Sequence, residues 1–116
     1  KLVKIMEGEV FFAVVDLRKN SSTFGKWDRA VLSKENHKML FIPEGFALGM
    51  CTLTPNCVLY YKMGNYYMPE SSGIIKWNDS DLAIEWPTNK SSSISERDDK
   101  AMSFKDFLGM NKAIDV

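Results

Sequence analysis

The stretch from Gly8 to Trp27 reads GEVFFAVVDLRKNSSTFGKW, and its first half decides the fold. Val10 to Leu17 is an almost unbroken apolar and aromatic run of strand length, which predicts a β-strand buried on both faces. The polar residues Arg18 to Ser22 predict a turn, and alternation resumes from Phe24 to Leu32. On the N-terminal side, Leu2 to Met6 alternates as a second strand, joined to the first through a turn at Glu7-Gly8. On the C-terminal side, Ser33 to Asn36 is another turn. Short strands follow at Met39–Ile42, Leu48–Leu53 and Val58–Met63, punctuated by Pro43-Glu44-Gly45 and Pro55-Asn56. Ile74–Trp77 and Ala83–Trp86 are further strand candidates, the last ending at Pro87. Strands recurring about every 8 to 14 residues between turn signals predict an all-β sandwich or barrel.

The tail changes character. Thr88 to Ser95 is polar and Ser-rich and predicts a loop. Met102, Phe104, Phe107 and Leu108 then recur at helical spacing, with Ser103 placed to cap a short helix over Phe104–Met110. The last residues are expected to fray. No internal repeat and no second domain is visible, so residues 1–116 are expected to form one domain.

Composition excludes several function classes. Fifteen basic and fifteen acidic side chains cancel, leaving no broad cationic surface for nucleic acid. No apolar stretch approaches the roughly 20 residues that span a bilayer, and no signal-peptide pattern opens the sequence, so no membrane partner and a cytoplasmic location are expected. Cys51 and Cys57 flank a turn and are expected to be reduced and buried rather than bridged. Asn20, Asn78 and Asn89 fit the glycosylation tripeptide by letter only. The single histidine, His37, lies in a polar turn and is expected at the surface. One loop histidine cannot supply a metal cluster, so no metal is expected. The Ser and Cys residues lack a histidine partner for nucleophilic catalysis. No Gly-rich phosphate loop is present.

Several blocks in one order carry a resemblance that covers roughly residues 1 to 99. KLVKIMEGEVFFAVVDLRKNSSTFGKW, LSKENHKMLFIPEGFALG, LYYKMGNYYMPESSGIIKWNDSDLAIEWP and ISERD are similar to the central and C-terminal segments of the dTDP-4-dehydrorhamnose 3,5-epimerase family. The resemblance implies a cupin-like jelly-roll barrel, a homodimer built by edge-strand exchange, and no cofactor. It implies a nucleotide-sugar substrate and epimerisation at C3 and/or C5 of a dTDP-4-keto-6-deoxyhexose, on the route to dTDP-L-rhamnose. It also implies a portion N-terminal to Lys1, which fits a chain that opens without Met.

That chemistry has simple requirements. Both reacting hydrogens lie α to a ketone, so the site needs a base, an acid on the opposite face, and a cation or donor near the C4 oxygen. By resemblance Tyr61 is the acid; its neighbour Tyr60 must point to the other face of the strand. Asp98 matches the aspartate that holds the base, a histidine in an LRGLH-type motif upstream of the segment where this chain begins. Lys1 matches a lysine near the sugar ring, Arg97 a basic residue near the diphosphate, and Tyr66 a platform for the nucleobase. Trp27, Trp77 and Trp86 read as core or interface packing.

Two positions depart from the family pattern. GFALG stands where GFAHG is usual, so Leu48 replaces a polar pocket histidine. VFFAVVD stands where VFDVAVD is usual, so Phe12 replaces a pocket carboxylate. Both changes dry the expected pocket. They leave two alternatives open: an impaired or inactive homologue that binds a sugar nucleotide, and a 3-only epimerase or keto-isomerase.

Overall fold

Two three-stranded antiparallel sheets form the body of the computed structural model, which describes residues 1–66, 73–87 and 93–110. The strands in chain order are β1 (Leu2–Glu7), β2 (Glu9–Asp16), β3 (Trp27–Ser33), β4 (Met39–Phe41), β5 (Phe46–Thr52) and β6 (Val58–Lys62). The first sheet runs β4-β1-β6 and the second β3-β2-β5. Two short helices follow, α1 (Glu96–Asp99) and α2 (Phe104–Gly109).

Gly8 carries the chain from one sheet to the other. It holds φ +83, and an added Cβ would lie 2.3 Å from the Asn56 carbonyl and 2.8 Å from Cys57 Sγ. Only glycine fits that backbone and that space. The crossing places β1 and β2 on opposite walls of one core. Val3 and Ile5 from β1 meet Val10 and Phe12 from β2, together with Leu32 and Ile42.

The other face of β2 is covered as well. Phe11, Ala13 and Val15 are buried there. A second cluster unites Val15 and Leu17 with Leu82, Phe104 and Phe107. The double burial expected of Val10–Leu17 is therefore what the strand does, because β3 and β5 flank it and the C-terminal segment lies over it. The turn after β2 runs longer than the letters Arg18–Ser22 indicate. Gly25 N–H donates to the Asp16 carbonyl, Gly25 takes φ +76, and β3 starts only at Trp27.

Two expected strands do not form. Ile74–Trp77 contributes one isolated parallel bridge, Ile75 to Met102, and Ala83–Trp86 is irregular. Their apolar side chains cover the sheet instead of pairing at its edge. The carboxylate of Asp79 shapes this segment by accepting from the backbone N–H of Asp81, Leu82 and Phe104 at 2.9, 3.1 and 2.9 Å. It thereby ties the turn to the start of α2. Ser103 caps α2 as its sequence predicts, accepting from Asp106 N–H at 3.0 Å. Ser95 caps α1 in the same way. Cys51 and Cys57 are free thiols and only half-buried, so the expected burial is incomplete. His37 is exposed in its turn. Among the described residues no helix is long and apolar enough to cross a membrane. Most of the Thr88–Ser95 loop and the last six residues lie outside the described residues.

Candidate active site

Strand register decides which side chains look inward. Val3 pairs with Tyr61 and Lys4 with Tyr60, so Tyr61 shares the core-facing side of its sheet while Tyr60 faces out. Lys1 extends the same ladder toward β4. Its backbone N–H donates to the Ile42 carbonyl at 2.8 Å, and Ile42 N–H donates back at 2.7 Å. The Lys1 ammonium lies 5.2 Å from the centroid of the Tyr61 ring, over its face.

Lys1 and Tyr61 border a cavity of about 680 Å³, within the usual range for small-molecule sites. Arg97 and Asp98, on α1, line it from the far end of the sequence. Four of the five residues singled out from sequence thus meet at one cavity. Tyr66 does not. It is 96% exposed and absent from the lining.

The floor is apolar. Phe46, Leu48 and Met50 come from one face of β5 and Ala47 and Gly49 from the other, so the cavity draws on both faces of that strand, which ends its sheet among the described residues. Leu48 does line the cavity, as its motif implied. Phe12 does not: it is fully buried in the core, with Leu48 and Phe46 packed against its cluster. The expected pocket position is therefore one layer deeper, because Phe12 follows the inward period of β2 into the space between the sheets. Its ring supports the floor without forming it.

Trp77 and Trp86 also line the cavity, a role the sequence reading did not give them. Trp86 Nε1–H donates to the Trp77 carbonyl at 2.7 Å, and its ring lies against Gly49, where a Cβ would come within 2.7 Å. The glycine in GFALG admits that ring, a pairing only the folded chain shows. Glu44 and Lys76 add charge to the lining, and nothing in their local sequence separates them from ordinary turn residues.

Beside the cavity, Asp16 is 3% exposed and fully engaged. Arg18 grips it through Nε–H and Nη2–H at 3.0 and 2.9 Å, and the Ser21 and Thr23 hydroxyls donate to Oδ2. The Arg18 guanidinium, with help from those hydroxyls, holds the carboxyl far below the usual carboxylate range against the opposing effect of burial. The same pairing pushes Arg18 up. The group is a structural anion, charged whenever the protein is folded under ordinary conditions.

Fold and cavity together define a jelly-roll barrel of the cupin type whose cavity carries Lys1, Tyr61, Arg97 and Asp98 among an otherwise mostly apolar lining. Residues 1–106 match the model of the family described as dTDP-4-dehydrorhamnose 3,5-epimerase. The chain is 49% identical over 98 residues to the dTDP-4-dehydrorhamnose 3,5-epimerase of Salmonella typhimurium, covering 84% of this chain and 54% of that protein. Its structure resembles the Mycobacterium tuberculosis rmlC epimerase with TM-score 0.95 and 33% identity, over 98% of this chain and 58% of that one. It also resembles the Legionella pneumophila epimerase solved with dTDP-4-keto-L-rhamnose, with TM-score 0.84 and 41% identity, over 88% of this chain and 54% of that one. The chain belongs to the dTDP-4-dehydrorhamnose 3,5-epimerase family. It spans about half the length of the curated relatives it matches.

Proposed function

We propose that this chain carries the central and C-terminal part of an epimerase acting at C3 and C5 of a dTDP-4-keto-6-deoxyhexose, in dTDP-L-rhamnose synthesis. The observation that carries the reading is the convergence of Lys1, Tyr61, Arg97 and Asp98 on one cavity in a chain of this family. Residues 1–116 act as a single domain in this proposal.

Each group has a role that its chemistry suits. A base withdraws the proton α to the C4 ketone, and the Lys1 ammonium faces the oxygen on which enolate charge develops. The Tyr61 phenol returns a proton from the opposite face. Asp98 orients the base, a histidine of the upstream LRGLH-type motif that the resemblance implies. Arg97, in the cavity lining, meets the diphosphate. Tyr66, outside the cavity, can reach only a nucleobase that extends past the mouth. No cofactor enters the reaction.

The proposed assembly is a homodimer. The outer face of the β4-β1-β6 sheet supports it, since Phe41, Met39, Tyr60, Val58 and Met6 are all about half or more exposed there. Sedimentation equilibrium should give twice the chain mass; a monomer at micromolar concentration would reject the dimer.

Solvent exchange tests the reaction. Protein incubated with dTDP-4-keto-6-deoxyglucose in D2O should place deuterium at C3 and C5 above the no-protein control. Label at C3 alone would make the activity a 3-epimerase. No label, from folded protein that binds dTDP, would remove the epimerase reading.

A further inference from the structure

Arg18 does not line the cavity, yet it touches a residue that does. Its guanidinium carbon lies 4.7 Å from the centroid of the Phe46 ring, and Phe46 forms part of the cavity wall. Asp16 and Phe46 are direct partners in the β2–β5 ladder, so the polar cluster and the ring occupy adjoining strands at the same level. The guanidinium has little freedom. Two of its nitrogens bind Asp16, Nη2–H also reaches Ser21 Oγ at 3.2 Å, and Arg18 backbone N–H donates to Asp16 Oδ1 at 3.0 Å. A planar cation fixed by a two-pronged grip presents a flat face, and an aromatic ring stacks on such a face.

We propose that Arg18 is a positioning residue: the Asp16–Arg18 pair clamps the Phe46 ring and so fixes the shape of the cavity wall that a sugar nucleotide meets. The turn Arg18–Lys26 then has a task at the site beyond linking two strands. Ser21 and Thr23 hold Asp16, Asp16 holds Arg18, and Arg18 holds Phe46. The ligand arm of the test below rests on the nucleotide-sugar reading; the ring-mobility arm does not.

The variants are Arg18→Lys, which keeps a cation beside Asp16 but removes the flat face, Phe46→Leu, which leaves the ion pair intact, and the double variant. Thermal unfolding first verifies that each folds. dTDP binding is then measured by calorimetry. Each single variant should weaken binding by about fivefold, and the double variant should be no weaker than Phe46→Leu alone, since Arg18 acts only through the ring. Equal losses from Arg18→Lys in both backgrounds, or no loss at all, would overturn the proposal.

The second readout needs no ligand. With 4-fluorophenylalanine replacing the seven phenylalanines, the resonance absent from Phe46→Leu identifies the ring. In Arg18→Lys that resonance should shift and change width while the other resonances hold. An unmoved Phe46 signal would overturn the clamp. If wild-type protein ignores dTDP while the Phe46 signal responds to Arg18→Lys, the nucleotide reading fails and the clamp stands. Should Arg18→Lys not fold, Phe46→Leu supplies the reciprocal test: with the ring gone the Arg18 Nε–H chemical shift should move while Asp16 keeps the signal sharp, and an unmoved shift would overturn the contact.

Discussion

Tyr61 and Tyr60 are adjacent tyrosines of nearly equal exposure, 51% and 53%, and only the register of β6 on β1 separates them. One joins the cavity-facing row with Val3; the other pairs with Lys4 on the outer face. The prediction that follows belongs to that single hydroxyl. Tyr61→Phe should lower turnover by roughly a hundredfold, the scale of a removed general acid, with dTDP affinity largely kept. Tyr60→Phe should leave turnover unchanged. The comparison is made by initial rates at saturating substrate, and equal effects of the two variants would exclude an acid role for Tyr61. The identity of the tyrosine and its neighbours was legible in the letters LYYK. Its approach to Lys1, sixty residues away, required the folded ladder.

At the scale of elements, the crossing at Gly8 governs how the two sheets meet. The added methyl of Gly8→Ala would strike the backbone of Asn56 at 2.3 Å, and backbone cannot turn away as a long side chain can. A residue with φ +83 also strains anything but glycine. Strain and overlap together should cost about 3 kcal/mol, seen as a lower midpoint in urea at unchanged slope. A loss below about 0.5 kcal/mol would mean that the β5–β6 turn gives way and that the crossing is soft. The Glu7-Gly8 turn was visible in sequence, because a polar-glycine pair between alternating runs signals one. The obstruction behind it was not, since Asn56 and Cys57 arrive from a distant turn.

For the molecule as a whole, two buried carboxylates couple stability to pH. Asp16 is held down by Arg18 first, as described. For Asp79 burial is the largest influence and raises the pKa, but backbone N–H donors from Phe104, Leu82 and Asp81 outweigh it and leave the net shift downward from 3.8. Both folded values lie below the unfolded ones, so both carboxylates contribute stability that is fully present above about pH 4 and is lost as pH falls through the folded values. Melting temperature should therefore be flat from pH 7 to about pH 5 and fall steeply below pH 4. Asp79→Asn should melt lower at pH 7 because it cannot accept all three N–H groups with a charged carboxylate. Its deficit against wild type should shrink as pH falls below about 4 and on through the lowered folded value of Asp79. A deficit constant across the range would show that charge on Asp79 plays no part.

What the sequence determined by itself was whatever depends on near neighbours. The two-sided burial of Val10–Leu17, the positions of the strands through Val58–Met63, the cap at Ser103 and the family blocks are all written in runs and spacings a few residues long. The tertiary structure alone decided which apolar segments pair and which merely cover. Ile74–Trp77 and Ala83–Trp86 have the letters of strands, yet Asp79 gathers them into a turn and their side chains lie over the sheet and along the cavity. It likewise decided that Phe12 supports the floor, that Gly49 admits the Trp86 ring, and that Arg18 reaches Phe46. Those outcomes turn on strand register and on which distant segment arrives at a given face. A period of two residues names two faces, but only the packed neighbours determine which one becomes core, wall or surface.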